Sequence, residues 1–158
     1  MGGDAVNITK RHLPHWTIKE AAYFVTFRTR TTQLTAPERQ IVLQHLKDGN
    51  GKFYILFAAV VMPDHVHVVL TPIKGYSLSR IMKGIKGVSA KKLNSLRRTV
   101  GPLWQNESFD RIIRDEHELQ EKLRYMLNNP LKKGLTDDPW SYHGWHFNEN
   151  PDILSTVG

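Results

Sequence analysis

The chain has 158 residues, 40% of them hydrophobic, which suffices for one domain with a buried core and excludes wholesale disorder. It contains no Cys, which excludes disulfides, thiolate metal sites and cysteine nucleophiles and fits a reducing, cytoplasmic compartment. A formal net charge of +7 points to an anionic partner; the opening Met1-Gly2-Gly3-Asp4-Ala5-Val6 lacks the segments of a secretory signal, and the longest apolar run, Tyr54 to Met62, is too short to cross a bilayer. Taken in chain order, Ala21 to Arg30 is rich in aromatic and β-branched residues and predicts a first strand. Ala36-Pro37-Glu38-Arg39 opens a helix capped by Thr35 or Ala36. Its apolar positions Ile41, Val42 and Leu46 keep helical spacing, and Asp48-Gly49-Asn50-Gly51 stops it. Phe53 to Val61 is apolar on both faces, as a central strand requires. Met62-Pro63-Asp64 turns the chain into a third strand, which Thr71-Pro72 ends.

Ser77 or Ser79 caps a long second helix reaching about Arg97, with Leu78, Ile81, Met82, Ile85, Leu93 and Leu96 inward. Gly84 and Gly87 weaken its middle, yet they would admit a close backbone approach. Leu103 to Arg114 predicts a fourth strand with an irregular polar centre. Asp115-Glu116-His117-Glu118 caps a third helix, which should end near Pro130 because a residue before proline is pushed out of helical geometry. The tail from Trp140 to Gly158 carries no assignable pattern. The order β-α-β-β-α-β-α predicts the α+β class: a ferredoxin-like antiparallel sheet (βαββαβ) with helices on one face, plus a C-terminal helix. A single domain is expected over 1–158, with its core at about 11–145.

Three features carry chemistry. Strand side chains alternate between faces, so Val66, Val68 and Leu70 share one face of the third strand while His65, His67 and Val69 share the other. Two neutral imidazoles side by side suit a divalent cation, although a hydrogen-bonded pair on a half-exposed strand explains the same spacing. Between Asp64 and Glu107 no acidic residue occurs, while Lys74, Arg80, Lys83, Lys86, Lys91, Lys92, Arg97 and Arg98 all fall there. Such a one-signed surface repels itself, and a phosphate backbone would relieve it. In the third helix Leu119, Leu123, Met126 and Leu127 form the apolar stripe. Tyr125 lies off that stripe, beside Asn129 on the same side. A metal-type histidine pair, a phosphate-binding surface and an off-stripe tyrosine together describe phosphodiester transfer through a tyrosine.

These residues resemble a known family. His65-Val66-His67 resembles the histidine–hydrophobic–histidine (HUH) motif of single-tyrosine transposases. The chain more closely resembles the REP-associated tyrosine transposases of bacteria, relatives of the insertion-sequence-200-like enzymes. The resemblance rests on four stretches: Arg11 to Trp16 followed by Tyr23 to Arg28; Val61 to His67; Leu103-Trp104-Gln105 through Phe109 to Asp115; and Arg124 to Pro130 with Lys133-Gly134-Leu135. It implies a ferredoxin-like enzyme that cleaves and joins single-stranded DNA, often at hairpin-forming repeats, through a 5′-phosphotyrosine. It also implies Tyr125 as nucleophile, and His65 and His67 as ligands of Mg²⁺ or Mn²⁺. The third ligand of related enzymes, commonly Gln, corresponds here to Asn129, whose shorter side chain favours ligation through water. Asp64 stands where Asn is common, a difference expected to matter little. By the same resemblance a monomer is favoured over a dimer.

Two other readings compete. Ferredoxin-like sheets also bind RNA through exposed aromatics, but Tyr23, Phe24, Phe27, Phe53 and Phe57 read as core. A metal-dependent nuclease using water instead of tyrosine is the other.

Overall fold

Strand alternation decides the layering of this molecule. In a computed structural model, which describes residues 21–149, the chain runs β1 (Ala22–Arg28), α1 (Ala36–Asp48), β2 (Tyr54–Val61), β3 (His65–Pro72), α2 (Leu78–Arg97), β4 (Phe109–Ile113), α3 (Glu116–Lys132), a 3-10 turn (Pro139–Ser141) and β5 (Trp145–Phe147). The Arg11–Trp16 stretch and the end of the tail lie outside the described residues. The strands form one antiparallel sheet in the order β4-β1-β3-β2-β5. Its first four strands reproduce the ferredoxin-like order, and β5 covers the outer edge of β2. Among the described residues no helix is long and apolar enough to cross a membrane.

Each face of the sheet has its own core. Val66, Val68 and Leu70 of β3 join Val25, Phe27, Leu56 and Ala59 against the buried sides of α1 and α2. On the opposite face Val69 joins Phe24, Phe57 and Val60 beneath Leu119, Leu123, Met126 and Leu127 of α3. A bulge between Leu56 and Ala58 makes β2 change phase, so that Tyr54 and Leu56 share a face with Ala59 and Val61. The α1 start is a full capping box, with Thr35 Oγ1 accepting from Glu38 N–H and Glu38 accepting from Thr35 N–H. Ser77, not Ser79, caps α2.

Several expectations are corrected. Leu96 is 58% exposed, and Ser89 takes the inward place, accepting a 2.9 Å hydrogen bond from the Trp104 indole. Nothing lies within 4 Å of where a Cβ would stand on Gly84 or Gly87, so neither serves a close approach. The fourth strand is only Phe109–Ile113, because Trp104 turns inward to Phe27 and Ser89 and leaves a loop. Phe53 is 44% exposed, outside the core. The third helix passes through Pro130 and ends at Lys132. A proline in the last turn forfeits a single helical hydrogen bond. The stop is Gly134, at φ +72°, where Gly134 N–H donates to Leu131 O and Leu135 N–H to Pro130 O in a Schellman closure. The described part of the tail is held by Tyr142, whose hydroxyl donates to Val61 O at 2.7 Å. Gly144 presses on the same carbonyl, where a Cβ would stand 2.6 Å away.

Candidate active site

The apolar face of β3 fixes where its histidines go. With Val66, Val68 and Leu70 buried against the helices α1 and α2, His65 and His67 must emerge on the α3 side, their ring centroids 4.8 Å apart. Sheet register then sets their neighbours on β1: Arg28 is opposite His65 and Thr26 opposite His67. Thr26 Oγ1 lies 2.7 Å from His67 Nδ1, and Asp64 Oδ1 lies 2.7 Å from His65 Nδ1. A carboxylate only accepts, so His65 Nδ1 carries the proton and Nε2 keeps its lone pair. The Asp64 carboxylate thereby fixes the tautomer of His65, an accepting role that an Asn Oδ1 in its place would also fill. His67 Nε2 is buried with no hydrogen-bond partner.

Burial keeps both rings neutral. It pushes His65 below its ordinary value and His67 down to about 3, with the neighbouring His65, Arg28 and Lys122 acting on His67 in the same direction. Neutral imidazoles, each bonded at Nδ1 with Nε2 left over, have the chemistry of metal ligands. The donor set thus fits a divalent cation. Among the described residues no three His, Asp or Glu side chains gather into a metal site, so a further donor has to be a carboxamide, water or substrate oxygen. Asn129, 6% exposed and one turn beyond Tyr125 on α3, is the carboxamide that the resemblance implies as the third ligand.

The apolar stripe of α3 seats the helix on this face and turns Tyr125 away from the core, 51% exposed. Its ring centroid is 5.4 Å from that of His67 and 6.4 Å from that of Phe24, which stacks on His67 at 5.3 Å. One turn earlier, Lys122 holds its Nζ 5.1 Å above the Phe24 ring. His67, Arg28, Lys122 and Tyr125 border one cleft of about 630 Å³. Two cations, an unpaired imidazole nitrogen and a solvent-accessible phenol in one cleft suit a phosphodiester.

The structure brings His65, His67 and Tyr125 together. It does not bring the basic helix to them: α2 lies across the sheet, against the other core. There Lys83, Lys91, Lys92 and Arg98 are exposed, and Arg80 stacks 5.2 Å over the Tyr76 ring. Lys86 donates to Asn106 O at 3.0 Å and Ser108 Oγ at 3.1 Å. Arg97 is committed elsewhere. Its guanidinium pairs with the buried Glu38 and also donates to Thr32 Oγ1 and Gln33 O, so it ties α2 to α1. Arg98 is the helix cap, at φ +59°. Sequence reasoning missed Thr26, Arg28, Asp64 and Lys122. Thr26 and Arg28 alternate with the buried Val25 and Phe27 in β1, but only the strand register reveals which histidine each meets.

Comparisons with known proteins agree with this fold. The family model of the IS200-like transposases matches residues 21–128. The fold is similar to that of a REP-associated tyrosine transposase solved with a REP hairpin, with a TM-score of 0.67 and 21% identity over 92% of this chain and 86% of that one. A candidate transposase from Deinococcus radiodurans R1 aligns at a TM-score of 0.49 and 24% identity, over 73% and 95% of the two chains. No curated protein matches the chain.

Proposed function

The chain belongs to the IS200-like transposase family, and from that premise we propose that it cuts and rejoins single-stranded DNA at hairpin-forming repeats with Tyr125 as the nucleophile. The observation that carries this reading is the approach of Tyr125 to His67, 5.4 Å between ring centroids, on the sheet face where His67 Nε2 is buried and unpaired. The relative solved with a REP hairpin supports hairpin DNA as the substrate class.

In the proposed step the Tyr125 phenolic oxygen bonds to the scissile phosphorus and the bond from phosphorus to the 3′ oxygen breaks. The phenol proton passes to solvent and the 3′ oxygen takes one up. The products are a free 3′-hydroxyl and a 5′-phosphotyrosine, and reversal with another 3′-hydroxyl joins strands. Arg28 and Lys122 offset charge on the phosphate, while the stacked rings of Phe24 and His67 support the phenol ring on one side. His65 and His67, with Asn129 directly or through water, would hold Mg²⁺ or Mn²⁺, which when bound stabilises charge building on the phosphate. By the family resemblance we favour a monomer acting in cis.

A denaturing gel of labelled hairpin DNA with a single-stranded flank tests the reading. We expect cleavage with Mn²⁺ and none with chelator, the label on the 3′ fragment travelling with the protein. His65→Ala and His67→Ala should each abolish cutting but retain binding. Cleavage without adduct assigns attack to water; full cutting in chelator removes the metal.

A further inference from the structure

The basic face of α2 and the tyrosine cleft lie on opposite faces of the sheet, so a strand that touches both must cross an edge. The edge available is β4, where the loop 105–108 stands between two clefts. On the tyrosine side is the cleft of about 630 Å³. On the α2 side is one of about 650 Å³, with Met82 and Trp104 in its wall and Lys83 and Lys86 bordering it. Gln105 and Ser108 line both. Resting on the reading above, we propose that the single strand reaches Tyr125 over this loop and that the base beside the scissile phosphate stacks on Phe109.

Phe109 is an exposed aromatic that the core does not use. It is 62% exposed on an edge strand, although its partner in the register is Thr26, the residue bonded to His67. Alternation gives Phe109 the same face as Ile113, which is buried beneath α3, and gives Asp110 the α2 side. The ring therefore stands at the mouth of the tyrosine cleft, open to solvent. A nucleobase is the flat apolar partner that DNA offers, and stacking on an aromatic tolerates any base.

The crossing point is held in place. Trp104 anchors one end to Ser89, Gln105 N–H donates to Arg28 O at 2.8 Å, and its side chain donates to Thr29 O at 3.1 Å. Lys86 pins Asn106 and Ser108 from the α2 side. Cations wait at both ends, Lys83 on one side and Arg28 and Lys122 on the other. Between them Glu107 and Asp110 repel phosphate but accept hydrogen bonds from base amino groups, so the strand crosses with its bases toward the loop.

The test measures binding, with cutting removed. Tyr125→Phe protein is titrated with single-stranded substrates that each carry one abasic nucleotide, stepped along the flank of the hairpin. Removing the base next to the cut should weaken binding about 10-fold or more. The same substrate should cost Phe109→Ala nothing beyond its own loss, and Phe109→Trp should restore the dip. Because Phe109 is exposed, circular dichroism of these variants should match the parent. A flat scan, or an unchanged dip in Phe109→Ala, overturns the proposal. A flat scan alongside a wild-type covalent adduct leaves the tyrosine reading standing; a Phe109-dependent dip without an adduct does the reverse.

Discussion

An imidazole ligates through whichever nitrogen its other hydrogen bond leaves bare, so the side chains that hold Nδ1 control the site as much as the histidines do. Asp64 does this for His65 at 2.7 Å and is itself largely exposed, so it can be changed without disturbing the core. Asp64→Ala should lower Mn²⁺ affinity about 10- to 100-fold with unchanged circular dichroism, as calorimetric titration of the metal would read. Affinity within twofold of wild type would remove Asp64 from the site. A nitrogen-rich donor set also favours Mn²⁺ over Mg²⁺, whose small ion prefers oxygen. Both histidines and the tyrosine are legible in the sequence, since a period of two and a rotation of about 100° per residue fix the faces they occupy. Thr26 is not, because a hydrogen bond between strands depends on register, and register follows from the whole sheet. Asp64 adjoins His65 in the chain, and its contact rests on the rotamers of the two side chains.

Elements are legible where local chemistry governs them. Thr35, Ser77 and Asp115 cap their helices as the sequence proposes, each accepting from a backbone N–H of the first turn. They are hidden where a tertiary partner overrides the pattern. Trp104, buried against Ser89 and Phe27, fills a core place that the pattern of a continuous strand over Leu103 to Arg114 does not foresee. Pro130 misleads for another reason: near a helix end it costs one hydrogen bond, and the following glycine provides the closure. The open space at Gly84 yields a prediction. Gly84 is exposed in mid-helix with nothing within 4 Å of the position a Cβ would take, so Gly84→Ala should stabilise the protein by about 1 kcal/mol. Urea denaturation measures it, and a loss of stability would mean that the glycine has a packing role.

At the scale of the molecule, two cores divided by one sheet separate a structural face from a chemical one. The Arg97–Glu38 pair locks α1 to α2 on the first, and the guanidinium holds the Glu38 carboxyl down at about 2. Buried histidines make stability depend on pH. Burial pushes His146 on β5 down to about 4, with Lys47 acting in the same direction, while the unfolded chain protonates it near the ordinary 6.5. Between those values the unfolded state binds the extra proton. Stability is therefore full above pH 6.5 and falls as pH drops toward 4, by about 1.4 kcal/mol per pH unit for each such histidine. His67, pushed to about 3, acts in the same sense. Denaturation curves at about pH 7, 6 and 5 should show the decline, and His146→Gln should flatten it; constant stability would contradict the burial of these rings. The central claim is that the chain folds so as to present Tyr125, from its last helix, to the imidazoles of its middle strand for covalent chemistry. The most direct measurement incubates wild-type and Tyr125→Phe protein with labelled hairpin DNA and Mn²⁺, then denatures, digests and identifies the labelled peptide. The account predicts label on the Tyr125 peptide of the wild type and none on the Phe variant, which should still bind the DNA. Cutting by Tyr125→Phe at the wild-type rate, or label on any other tyrosine, would contradict it.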